Sequence, residues 1–192
     1  MNNTKFKEFD FDNPSLGFRI EDKLKWFLGG PLLYDPFIKT FGLKGNETIM
    51  DFGCGGGAGS KVVLKYLNRY GHLTCLDTSK YWLEVTERRL KKYPNVDFKM
   101  GDVRELDIKN SSYDIIFTVY VIHDIDPAKW QNTIKALADK LKPGGKLFIV
   151  EPIGNSHGMP IAEIRRLFKN AGLKEMKNKI NRSRYIGEFQ KY

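Results

Sequence analysis

From residue 48 onward, short apolar runs alternate with amphipathic stretches. Residues 48–53, 72–77, 96–100, 113–121 and 146–151 are apolar or alternating and bounded by turn residues, so they read as strands. The run over 113–121 is rich in β-branched and aromatic residues and suits a central, buried strand. Helical spacing appears between them. Over 60–70, Val62, Val63, Tyr66, Leu67 and Tyr70 share one face, with Gly71 as the stop. A second helix runs over 79–92 and ends at Tyr93-Pro94, because the residue before a proline is pushed out of the helical region. Asp126-Pro127 opens a third as N-cap and first-turn residue, with Trp130, Ile134, Leu137 and Leu141 facing inward. Lys142-Pro143-Gly144-Gly145 is a turn before the fifth strand. Pro160 starts another helix, with Ile161, Ile164, Phe168 and Ala171 inward and Gly172 at its end. Two strands, over 173–179 and 184–190, close the chain.

Residues 1–47 lack this alternation. Ile20, Leu24, Phe27 and Leu28 have helical spacing, and Gly29-Gly30 is expected to end that segment. Leu33, Phe37 and Phe41 suggest a second short helix. The expected organisation is a helical N-terminal lid over 1–47 on a single α/β domain over 48–192. Alternating strands and helices predict a mostly parallel sheet with helices on both faces.

The composition adds limits. At 192 residues, with 41% apolar and 29% charged, the chain reads as one globular domain. The net charge of +9 is concentrated late, since residues 160–192 hold nine Lys and Arg against three Glu. That bias admits an anionic substrate, a nucleic acid or a membrane surface, although no compact basic run appears. Two cysteines, Cys54 and Cys75, suggest a reducing compartment rather than a disulfide framework. The absence of a long apolar stretch and of an apolar leader points to a cytoplasmic protein without a membrane span.

The candidate chemistry sits at residues 49–59, Ile-Met-Asp-Phe-Gly-Cys-Gly-Gly-Gly-Ala-Gly. A strand, a glycine-rich turn and a helix form a crevice that admits a nucleotide, because backbone without Cβ can approach the ligand. Taken alone this is ambiguous. Gly53 to Ala58 also satisfies the dinucleotide fingerprint, and Asp77, ending the second strand, suits either ligand by accepting ribose hydroxyls. Asp51 and Asp102 shift the balance. A carboxylate just before the first glycine disfavours a pyrophosphate and suits a cationic ligand. Asp102, after the third strand, is placed to accept from an adenine amino group.

Five pieces in order resemble the class I S-adenosylmethionine (SAM) methyltransferases: Asp51 to Gly57, Leu76-Asp77, Gly101-Asp102-Val103, Tyr113 to Ile116, and Leu141 to Gly145. The resemblance spans residues 31–192. It implies a Rossmann-like, seven-stranded sheet whose last strand inserts antiparallel. It implies SAM as cofactor, held by Asp51, Gly53, Cys54, Gly55, Asp77, Thr78, Asp102, Val103 and Thr118, with no metal. Tyr34 to Phe37 and Val121-Ile122-His123 look most like the small-molecule enzymes of quinone biosynthesis and arsenite methylation.

Methyl transfer from a sulfonium is an in-line displacement, so positioning does most of the work and a base is needed only if the acceptor must lose a proton. His123, past the fourth strand, is the candidate base. Asp124 is adjacent in sequence, which by itself establishes no pair. Tyr34, Tyr120 and His157 are candidate substrate contacts. A pocket lined by Tyr34, His123 and His157 would suit a small polar or aromatic acceptor, whereas a groove flanked by Arg182 and Arg184 would suit a larger anionic one. The stretch Thr118-Val119-Tyr120-Val121 lacks the Pro-Pro-aromatic motif of amino methyltransferases, and both cysteines lie too far upstream for arsenite chemistry. A small-molecule acceptor is therefore expected, with an RNA or protein acceptor still open. The alternatives are an NAD(P)-dependent oxidoreductase on the same crevice and a SAM-binding partner protein without turnover.

Overall fold

A computed structural model describes residues 10–154 and 158–192. Seven strands form one sheet: β1 (Thr48–Phe52), β2 (His72–Asp77), β3 (Val96–Met100), β4 (Tyr113–Val119), β5 (Leu141–Pro152), β6 (Leu173–Ile180) and β7 (Arg184–Lys191). Their order is β3-β2-β1-β4-β5-β7-β6. The first five run parallel, and β7 inserts antiparallel between β5 and β6. The order reverses at β1 and β4, which opens a crevice beyond the carboxyl ends of those strands.

Among the described residues six α-helices flank the sheet: α1 (Leu16–Leu24), α2 (Asp35–Ile38), α3 (Ala58–Val63), α4 (Lys80–Leu90), α5 (Trp130–Lys140) and α6 (Ile161–Asn170). Helices α5 and α6 cover one face, where Ile134, Leu137, Ile164 and Phe168 are buried with Ile116, Leu147 and Ile149. The other face packs α2 and α3, and Phe41 stacks on Phe148 with ring centroids 4.2 Å apart. Asp126 caps the turn before α5 by accepting from Ala128 N, as its place before a proline predicts. No helix among the described residues is long and apolar enough to cross a membrane.

Four expected boundaries moved. Strand β5 begins at Leu141, so Leu141 leaves the helix and the Lys142-Pro143-Gly144-Gly145 stretch expected as a turn lies within the strand. The helix after the glycine turn is α3, six residues long. Beyond it Lys65 and Tyr66 make tighter bonds to Val62 and Val63, and Asn68 N turns away to Gly45 O. Strand β4 stops at Val119, because Tyr120 takes a left-handed φ of 58°. Gly29-Gly30 ends nothing: residues Lys25–Tyr34 continue α1 as a π-helix into α2. Glycine disfavours a helix by only about 1 kcal/mol, so packing of this segment against α3 overrides it.

The N-terminal helices dock through polar groups. Asp22 of α1 pairs with Arg89 of α4 at 2.8 Å, and Arg89 also donates to Gly56 O at 2.7 Å. Trp26 lies under Lys61 and Arg89, at 4.3 and 4.7 Å. The helical spacing of Ile20, Leu24, Phe27 and Leu28 holds, but those side chains are exposed.

Candidate functional site

The glycine turn hangs from β2. Gly53 N and Cys54 N both donate to Leu76 O, at 2.8 and 3.0 Å. Gly53 has φ 72°, and a Cβ there would lie 2.4 Å from a Val121 methyl, so a side chain is excluded. Gly55 differs. Its φ is 50°, yet nothing lies within 4 Å of where a Cβ would be. The backbone at Gly55 therefore faces open space.

Asp77 holds this turn from the end of β2. Its carboxylate accepts from Gly55 N at 2.8 Å and from Ser79 N at 2.9 Å. Each oxygen keeps a further lone pair for a ligand hydroxyl. Asp51 sits on the next strand, accepts from Ser60 Oγ at 2.6 Å, and is buried. Burial pushes its carboxyl up to about 7, and the charge of Asp77 adds to the rise. Burial likewise raises Asp77. Two buried carboxylates that feel each other favour a cation or a hydrogen-bond donor between them.

Asp102 follows β3, whose Met100 pairs with Asp77, and Gly101 N donates to Asp77 O at 3.0 Å. The three carboxylates thus stand on three adjacent strand ends. Asp102 points toward Arg104, and that contact lowers its pKa. Val103 is buried in the core, so a ligand contact there falls to its main chain. Thr78 is exposed beside Asp77. Cys54 is buried, with its thiol pushed well up by the Cys75 thiol and by burial, and acts as a small turn residue. Thr118 is buried on β4 with no hydrogen-bond partner for its hydroxyl among the described residues.

His123 lies in the single turn Ile122–Asp124 after β4. Its Nδ1 is 2.8 Å from Glu151 Oε2, and its Nε2 is 3.4 Å from Asp124 Oδ1. Glu151, at the end of β5, is fully buried and also accepts main-chain N–H bonds from Val121, Ile122 and His123. One carboxylate therefore caps the turn and orients the ring. Burial opposes charge on His123, but the Glu151 hydrogen bond and the charges of Glu151 and Asp124 win and raise its pKa. The sequence offered Asp124 as a neighbour; Glu151, 28 residues away, is the stronger partner. Its only sign in the sequence was an acidic residue ending an apolar strand.

An apolar cavity of about 350 Å³ opens beside this site. Tyr34 and Tyr120 line it. His123 is not part of its wall; Tyr120 meets the His123 ring edge-on at 6.4 Å. Arg184 borders the cavity and Arg182 does not. The left-handed backbone of Tyr120 is uncommon for a bulky residue and aims its ring here. Tyr34 also packs over Gly59, 3.2 Å from where a Cβ would be, which ties the cavity to the glycine turn. His157 lies outside the described residues.

The methyltransferase-domain family matches residues 49–145, half of the chain. Among curated proteins, the chain is 26% identical over 161 residues to the carboxy-S-adenosyl-L-methionine synthase of a Shewanella species, covering 79% of this chain and 64% of that protein. It is 26% identical over 113 residues to the demethylmenaquinone methyltransferase of Tropheryma whipplei, covering 59% and 45%. The chain thus spans less than two thirds of these relatives. A SAM-dependent methyltransferase from Aquifex aeolicus superposes with a TM-score of 0.70 at 18% identity, covering 94% of this chain and 95% of that one, which bears on the fold.

Proposed function

The chain belongs to the methyltransferase-domain family, and on that premise we propose that it is a SAM-dependent methyltransferase of a small-molecule acceptor. The observation that carries this reading is the open backbone at Gly55, tied to the Asp77 carboxylate and flanked by buried Asp51. Such a cradle fits an adenosine bearing a positive charge. Asp77 takes the ribose hydroxyls, Asp51 faces the cationic end directly or through water, and Asp102 takes the adenine amino group. Gly53, Cys54, Thr78, Val103 and Thr118 complete the surround. The bound sulfonium supplies an activated methyl. The chain's part is to hold the acceptor in line and exclude water.

His123, behind Tyr120 rather than in the cavity wall, is the candidate base where the acceptor must lose a proton. Glu151 fixes the ring through Nδ1, and Nε2 on the far side meets Asp124 Oδ1 at 3.4 Å. The helices over residues 16–41 form the lid, and Tyr34 and Tyr120 bound the acceptor. The quinone-directed relative supports a small-molecule acceptor. Two unpaired, buried cysteines support a cytoplasmic setting.

The test is a methyl-transfer assay over a broad metabolite panel, read as S-adenosylhomocysteine release. Turnover of at least one small acceptor is expected. SAM binding without turnover of any acceptor would favour a non-catalytic partner protein. Protection of the fold by NADH but not by SAM would favour an oxidoreductase.

A further inference from the structure

We infer that the cavity beside the glycine turn takes an apolar molecule bearing an anionic group, a carboxylate in the simplest case. The inference rests on the methyltransferase reading only for calling this molecule the acceptor.

The body of the cavity is apolar. Phe148 and Val150 of β5 and Ile186 of β7 form its floor, with Phe37 and Leu33 from the N-terminal helices beside them. Its mouth is cationic. Lys25, Lys177, Lys179 and Arg184 border it, against one carboxylate, Glu188. Glu188 is already committed, to Lys146 at 2.8 Å and to Lys177 at 3.9 Å. Lys25 pairs with Glu21 at 2.7 Å. Lys179 and Arg184 have no carboxylate within ion-pairing distance among the described residues.

The register explains why these cations meet. Lys179 lies opposite Ile186, and Lys177 opposite Glu188, across the β6–β7 ladder. Arg184 precedes Ile186 by two residues, so both side chains stand on one face of β7. The hairpin therefore presents Lys177, Lys179 and Arg184 along the rim above an apolar floor. A purely apolar ligand leaves two unpaired cations at the mouth, and a cationic ligand is repelled. An anionic head on an apolar body satisfies both regions.

The probe is 2-naphthylacetate, compared with its uncharged amide by calorimetry, on the wild type and on the double variant Lys179→Ala/Arg184→Ala. Both substituted side chains are at least partly exposed, and an unchanged melting temperature checks the fold. The carboxylate is expected to bind about tenfold tighter than the amide, as for hydrogen bonds to charged groups, and the double variant is expected to erase that preference. Equal affinity for the two probes overturns the inference, as does a preference that survives the double variant or no binding of either probe. SAM titrated in parallel separates the two readings. A lost carboxylate preference with SAM still bound defeats only the cavity assignment. An intact preference without SAM binding defeats only the methyltransferase reading.

Discussion

Asp51 carries a stability penalty at the place where the proposed cofactor's charge would sit. Its folded pKa of about 7 lies above its ordinary 3.8, so the folded state holds the proton more tightly than the unfolded chain. Stability contributed by this group therefore falls as pH rises from the ordinary value toward 7, and the full penalty is present above it. Asp51→Asn is expected to raise stability at about pH 8 by roughly 2–4 kcal/mol, and to give no gain at about pH 4, measured by urea unfolding. The same ionisation makes SAM binding release a proton, so affinity rises with pH through neutrality. At Gly55 the open space and left-handed backbone make a different prediction. Gly55→Ala meets no clash, costs about 1–2 kcal/mol of backbone strain, and is expected to weaken SAM by more than about tenfold, seen by titration beside thermal melting. For His123, the raised pKa means that its base form predominates only at a higher pH than for an ordinary histidine. Rates for an acceptor that loses a proton should climb with pH past that point. Glu151→Gln should move the climb to lower pH, whereas a purely structural role for Glu151 would leave its position unchanged. Asp51, Asp77 and the glycines were legible because they are consecutive or end apolar runs. Glu151 was not, because a contact between two strand ends leaves no spacing to read.

Most strands were read to within a residue or two and β3 was placed from end to end, whereas β5 starts well before the expected residue 146, at Leu141. The misses share a cause, namely contacts from elsewhere deciding a local ending. Tertiary bonds from Gly45 cut α3 short, and the π-helix ran through two glycines. The docking of α1 was also hidden, since it rests on a polar triad of Asp22, Arg89 and Trp26 rather than on the apolar stripe. That gives a prediction at this scale. Arg89→Ala removes a partly buried ion pair and the bond to Gly56 O, an effect of about 1–3 kcal/mol on the docking of the N-terminal helices. Amide hydrogen exchange should speed up over residues 16–34 while β1, β4 and β5 stay protected. Uniform loss of protection would mean that the N-terminal helices and the sheet unfold as one unit.

For the molecule as a whole, sheet order and chemistry point to one place. The reversal between β1 and β4 opens a crevice, three adjacent strand ends each carry a carboxylate, and the β6–β7 hairpin brings the cations of the basic C-terminal region to the neighbouring cavity. The late excess of Lys and Arg, visible in the composition, thus acquires a location that composition alone did not supply. Calorimetric titration of SAM into the wild type and Asp77→Ala tests the central assignment most directly. Binding by the wild type, weakened at least about tenfold in the variant, is the expected result. Failure of the wild type to bind SAM, with tight binding of NAD in its place, would contradict it.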